Sequence, residues 1–170
     1  MKIERMICGA YAENAYCIDG ELLIDPGDNL AALTGFAPNL KAILLTHGHF
    51  DHMLAAEELQ RQTGVPVYVH PQDAPMLTDA SLSAYDAGVA TLPQPTHIAY
   101  TEYPEQLFGF RVLHTPGHTP GSCACITRAK GCSSAEIPCS GQGSGVPIWR
   151  EAACISCFPL CGGFWPCPGR

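Results

Sequence analysis

Apolar positions follow two rhythms up to about residue 126 and neither afterwards. Residues 2–7 alternate weakly and predict a first strand. Residues 14–18 and 21–24 are short β-type runs around Asp19-Gly20, a hairpin turn signal. Asp25-Pro26-Gly27-Asp28 breaks the second run, and residues 30–33 form a candidate short helix ended by Gly35 and Pro38. Residues 42–45, Ala-Ile-Leu-Leu, are continuously apolar, as a strand buried on both faces requires. Residues 54–62 are good helix formers stopped by Gly64, and residues 65–69 return to strand character. Pro71 opens a helix or turn over 71–77. Residues 78–96 are polar and turn-rich, and predict a loop that covers something or links two layers. Residues 97–100, 110–113 and 123–126 are further strand candidates, with a rigid turn over 114–122. Strands alternating with short helices predict an α/β layered domain, mixed sheets covered by helices.

From Thr127 onward Gly, Pro, Cys and Ser dominate, and no run keeps a period of 2 or 3.6. The expected organisation is a domain over residues 1–126 and an irregular tail over 127–170. The cysteines mark the same change. Only Cys8 and Cys17 precede residue 120, whereas Cys123, Cys125, Cys132, Cys139, Cys154, Cys157, Cys161 and Cys167 follow it. Cys154 and Cys157 make a C-x-x-C pair, but no second pair stands at zinc-ribbon spacing.

With 170 residues the chain is long enough for one domain with a substantial core. Nine Lys and Arg against sixteen Asp and Glu give a net charge of −7, which argues against nucleic acid or an anionic membrane as partner. Residues 1–20 lack a basic head followed by an apolar stretch, and no window has the length of a membrane span, so a cytoplasmic protein is expected. The partner predicted is a small-molecule substrate; oligomeric state is left open.

Chemistry concentrates directly behind the apolar run, in Thr46-His47-Gly48-His49-Phe50-Asp51-His52. His47 and His49 lie two apart in a loop, so both imidazoles can reach one ion, while Asp51 and His52 can reach a second. Gly48 permits a tight turn between them. His118 is the natural third ligand for the first ion, on a turn shaped by Pro116 and Gly117. Three protein ligands and a water make a catalytic zinc site, and zinc lowers the pKa of bound water to about 7. Hydrolysis of a carbonyl or phosphoryl compound is the expected reaction. His114 is assigned to supporting the turn, and His70 and His97 to structural or surface roles.

The residues 46–52 resemble the H-x-H-x-D-H signature of the metallo-β-lactamase fold hydrolases. Ile24-Asp25-Pro26-Gly27 is similar to that family's early acidic turn, which lies under the metal loop. Residues 115–122, Thr-Pro-Gly-His-Thr-Pro-Gly-Ser, resemble its third-histidine turn, especially in the glyoxalase II-like branch. The resemblance covers residues 1 to about 126 in order. It implies an αββα sandwich with metals at one edge of the paired sheets. It further implies His47, His49 and His118 on a first zinc, Asp51 and His52 on a second, and Asp51 as the candidate catalytic carboxylate. Asp25, Thr46 and His114 would support these ligands from behind. One or two zinc ions are implied, with iron or manganese as substitutes, and a thioester such as S-lactoylglutathione as substrate.

Beyond residue 126 the chain departs from the pattern. The family's Ser-Gly-Asp-Thr-Leu-Phe segment, whose aspartate bridges both metals, is missing, as is a late Pro-Gly-His turn. No Asp follows Asp86 and no His follows His118. Back-translated with permitted codons, the stretch from Gly131 can encode Leu-Leu-Phe-Ser-Gly-Asp-Thr-Leu-Phe when read from the third base of the Gly131 codon. Residues 144–149 can likewise yield Gly-Arg-Thr-Asp-Leu. Both family segments thus fall in one alternative frame and in order, so the expectation is a frameshift near residues 126–131 and an activity impaired in this chain. The alternatives are a same-fold iron enzyme of redox or sulfur chemistry, or a non-catalytic metal-binding fragment.

Overall fold

The structure is a computed structural model that describes residues 1–84, 96–127 and the backbone of 135–137. Strand β1 (Ile3–Cys8) pairs antiparallel with β2 (Glu13–Ile18), and β2 pairs antiparallel with β3 (Leu22–Ile24). The β2–β3 turn holds Asp19 at φ 51° and Gly20 at φ 75°, the two positive values that a type I′ hairpin needs. From β3 the sheet continues in parallel through β4 (Ala42–Leu44), β5 (Val67–Tyr68) and β6 (Tyr100–Thr101). A second, antiparallel sheet runs in the order β10 (Ala135–Ile137), β9 (Cys123–Thr127), β8 (Phe110–His114), β7 (Gln106–Leu107).

The continuous apolar runs are explained by where their two faces go. Ala15, Cys17, Leu23, Ile43, Leu45 and Val67 face a helical layer. That layer is built from α1 (Leu30–Leu33), α2 (Phe50–Met53), α3 (Ala56–Thr63) and α4 (Ala74–Thr78), and contributes Leu33, Met53, Leu59 and Leu77. The alternate residues Tyr16, Ile18, Leu22, Ile24, Ala42 and Leu44 face the second sheet, where Phe110, Val112, Cys123 and Cys125 meet them. Alternation of period 2 therefore fills two cores at once. Each fully buried Leu or Ile contributes about 1.5–3 kcal/mol. Helix, sheet and sheet are three layers of the expected αββα sandwich; the helices of the described core all pack on the first sheet.

Several elements differ from expectation. The helix expected over 54–62 starts only at Ala56, because the Ala55 N–H is already donated to the Gly27 carbonyl at 2.7 Å. Its Gly64 stop holds, at φ 71° in the left-handed cap position. The strands expected over 65–69 and 97–100 shrink to two residues each, and β7 was not foreseen. The stretch taken as loop from residue 78 contains α5 (Ala80–Ser83), whose first turn is capped by Asp79 accepting from Ser81 N at 2.9 Å. Residues 85–95 of that loop lie outside the described residues. So does the expected irregular tail, apart from Thr127 and β10, a short strand that the absence of side-chain periodicity hid. It pairs with Cys125, Ile126 and Thr127 through backbone hydrogen bonds, which need no periodicity. The C-x-x-C pair and the proposed frameshift segment are otherwise outside the described residues. Among the described residues no helix is long and apolar enough to cross a membrane.

Candidate metal centre

The parallel strands β3 and β4 end side by side, and the loops leaving them build one site. Asp25, at φ 47°, turns its carboxylate under the β4 loop. It accepts from Thr46 N at 2.8 Å and from the Thr46 hydroxyl at 2.5 Å, while Asp25 N donates to Leu44 O at 3.0 Å. A left-handed aspartate at a strand end is a local strain held by these bonds. The Asp25 turn also grips α2, since Gly27 N donates to His52 O at 3.1 Å.

His47 is completely buried. Its Nδ1 lies 3.1 Å from the Thr46 hydroxyl oxygen. That hydroxyl gives its one proton to Asp25, so it must accept from His47 Nδ1–H. The tautomer assigned in this way leaves Nε2 with a bare lone pair. His47 Nε2 is buried without a hydrogen-bond partner, a costly state unless something else occupies it.

That lone pair belongs to a cluster. Ligand atoms of His47, His49 and His118 all lie within 4.8 Å of one another, His118 arriving from the turn between β8 and β9. His118 Nε2 and His49 Nδ1 are 2.9 Å apart. Burial lowers the pKa of all three; the neighbouring histidines lower His47 further, His118 does so for His49, and His52 for His118. Three neutral imidazoles converging on one point, with one buried nitrogen unsatisfied, fit a divalent metal of the zinc type.

A second group is formed by Asp25, His47 and His52, again with ligand atoms within 4.8 Å. His52 Nδ1 is 3.1 Å from Asp25 Oδ2, and its Nε2 is 3.8 Å from Asp51 Oδ2. Burial opposes protonation of His52, but the charge of Asp25 and its contact with the ring, then Asp51, raise its pKa overall. Asp51, with its side chain about one quarter exposed at 26%, thus stands on the open side of His52. His114 supports the turn itself, its Nε2–H donating to Pro120 O at 2.8 Å, and it stacks on His70 at 3.9 Å. His97 is exposed.

Two buried carboxylates were not singled out from the sequence. Asp73 is fully buried and accepts from Gly48 N at 3.1 Å, from Gly121 N at 2.7 Å and from the Thr119 hydroxyl at 2.6 Å. Glu13, at the start of β2, is 6% exposed and neither of its oxygens has a hydrogen-bond partner. Burial, then the charges of Asp25, Asp51 and Asp28, push its pKa up to about 10. The only local signal for Asp73 is its place before Ala74 and Pro75 at a helix start; Glu13 gives none.

The second sheet is fastened to the site by Cys123 N, which donates to Thr46 O at 2.9 Å.

Comparison with known proteins follows the same outline. The chain is 36% identical over 136 residues to the "Probable metallo-hydrolase YqgX" of Bacillus subtilis, a match covering 72% of this chain and 64% of that protein. It is 33% identical over 147 residues to the hydroxyacylglutathione hydrolase GloC of Haemophilus influenzae, covering 76% of this chain and 68% of GloC. The chain therefore spans less than two thirds of the length of the Bacillus relative. Among solved structures, TTHA1623 in a di-iron-bound form superposes with a TM-score of 0.65 at 36% identity, covering 91% of this chain and 82% of that one. The sequence model of the metallo-beta-lactamase superfamily matches residues 8–132. With that match across most of its length, and with a histidine cluster at the end of paired strands, the chain belongs to the metallo-beta-lactamase superfamily.

Proposed function

We propose that this chain carries the metal-binding core of a hydrolase acting on a small thioester of the acyl-glutathione type, and that its turnover is impaired. The observation that carries the reading is the unsatisfied, buried Nε2 of His47 at the meeting point of His49 and His118. These three side chains would hold one zinc ion. Bound there, the metal supplies a polarised substrate carbonyl and a water of lowered pKa. The chain's own residues do the rest. Asp25 and Thr46 fix the His47 tautomer, so that its lone pair always faces inward. Asp51 offers a partly exposed carboxylate beside His52, placed to accept a proton or to help hold a second ion. The thioester specificity is supported by the likeness to GloC, and the cytoplasm is the compartment in which such a substrate would be met.

Impairment follows from ligand count. Within these 170 residues no aspartate follows Asp86 and no histidine follows His118, so a second ion would rest on Asp51 and His52, with Asp25 the further carboxylate near them and already accepting from Thr46. Iron in place of zinc is the second reading, favoured by the di-iron form of TTHA1623. The test is hydrolysis of S-lactoylglutathione by the purified, zinc-loaded chain, set against an intact relative. Slow turnover that His118→Ala removes is expected. No turnover at all overturns the thioester assignment, turnover equal to the relative's overturns the impairment, and oxygen uptake with iron favours the second reading.

A further inference from the structure

Asp73 occupies the residue just before α4, where an aspartate ordinarily accepts from the first backbone N–H groups of its own helix. Here its side chain makes no such bond. Both oxygens are instead turned away from α4 toward the two loops that carry the histidines. Oδ2 accepts from Gly48 N, between His47 and His49, and from the hydroxyl of Thr119, the residue after His118. Oδ1 accepts from Gly121 N. Residues 25 and 48 positions away along the chain are thereby tied to one carboxylate.

The surrounding packing is built around this contact. A Cβ on Gly121 would stand 2.6 Å from Asp73 Cγ, and one on Gly48 would stand 2.7 Å from Met76 Cβ and 3.0 Å from Asp73 O. Neither glycine is needed for a positive φ. They are needed because α4 and its leading aspartate come close to both turns. Thr119 is shared further, its hydroxyl lying 2.8 Å from Ser122 Oγ, and Thr119 N donates to that Ser122 oxygen at 3.0 Å.

We infer that Asp73 is a positioning residue of the three-histidine site, the carboxylate that ties the His118 turn directly to the His47/His49 turn and, with the Cys123 N to Thr46 O bond, sets their separation. It touches no ligand nitrogen and acts through the backbone on either side of the ligands. The inference rests on the metal-site assignment above. Its mechanism is preorganisation: two loops from different sheets would otherwise have to be brought together when an ion binds, and the ordering cost would appear as weaker affinity. Groups behind metal ligands ordinarily change affinity by about 10–100-fold when removed.

The experiment measures zinc affinity of the full chain, metal alone, by competition with a chromophoric chelator. The variants are Asp73→Asn, Thr119→Val, Thr119→Ser and Leu59→Ala. Leu59 is on the buried face of α3, and its truncation loosens the core without removing any of the Asp73 hydrogen bonds. Asp73→Asn keeps the shape but replaces one acceptor by a donor facing other donors; a dissociation constant raised about tenfold or more is expected. Thr119→Val should weaken binding in the same direction and Thr119→Ser should restore it, while Leu59→Ala lowers the thermal midpoint and leaves affinity within about twofold of the parent. Asp73→Asn with parental affinity overturns the inference. So does a loss that merely tracks thermal stability across all four variants, or an Asp73→Asn chain that fails to fold, because the carboxylate then serves the fold and not the site. A parent chain that takes up no zinc overturns this inference and the proposed function together, whereas parity of the Asn variant with a zinc-binding parent removes this inference alone.

Discussion

Replacing Glu13 by Gln should change the pH dependence of stability of the metal-free chain, and the structure sets the size. Glu13 is buried beside Asp25, Asp51 and Asp28, with its Oε1 3.6 Å from His52 Nδ1; burial first and then the three carboxylates push its pKa up to about 10. In the unfolded chain its pKa is about 4.3. Between these values the folded chain keeps a proton that the unfolded chain has lost. Unfolding then releases a proton, so stability falls as pH rises, by about 1.4 kcal/mol per pH unit. The sign is that of a raised carboxyl: its contribution is fully present below the unfolded pKa and drains away toward the folded one. From pH 5 to pH 8 the loss amounts to about 4 kcal/mol, a large share of the roughly 5–15 kcal/mol that holds a domain together. Gln cannot titrate, so the variant should gain on the parent by that amount across the window. The assay is urea unfolding of both chains with chelator present, at half-unit steps from pH 5 to pH 8. A difference between the two that does not change with pH would falsify the argument, since it would mean that Glu13 ionises in the folded chain as it does in the unfolded one.

Two further substitutions probe the packing. Gly48→Ala places a methyl 2.7 Å from Met76 Cβ, so the loop or α4 must shift; a loss of about 1–3 kcal/mol in chemical denaturation is expected, and an unchanged midpoint would show that the helix is not pressed against the turn. Phe110→Ala empties the largest fully buried side chain among the described residues, in the core between the two sheets, and should cost about 3–5 kcal/mol; a cost below about 1 kcal/mol would mean that the sheets do not pack as described.

What the sequence made legible was local. His47, His49, Asp51 and His52 stand out because four metal-binding side chains crowd into six residues, and Asp19-Gly20 because a two-residue turn has its own backbone requirement. The buried strands of the first sheet were legible because both of their faces are covered, which leaves an unbroken apolar run in β4. Asp73 was not, because its three partners come from loops 25 to 48 residues away and an aspartate before a helix looks like an ordinary cap. Glu13 was hidden for the opposite reason: an acidic residue at a strand end is expected at the surface, and only the arrival of β1, the Asp25 turn and α2 around it makes it buried. Elements of two to four residues, such as β7, β10 and α5, are too short for any period to register. The turn supported by His114 was anticipated from its Pro and Gly content, but not the stacking of His114 on His70.

The central claim is that His47, His49 and His118 form one divalent-metal site in this chain. Its most direct measurement is zinc stoichiometry of the full chain after dialysis, with His47→Ala and His118→Ala alongside and circular dichroism to verify that each remains folded. One tightly held zinc in the parent chain, lost in both folded variants, is the predicted result. Zinc retained at the same stoichiometry in either folded variant would contradict it, and would move the site to other residues of the chain.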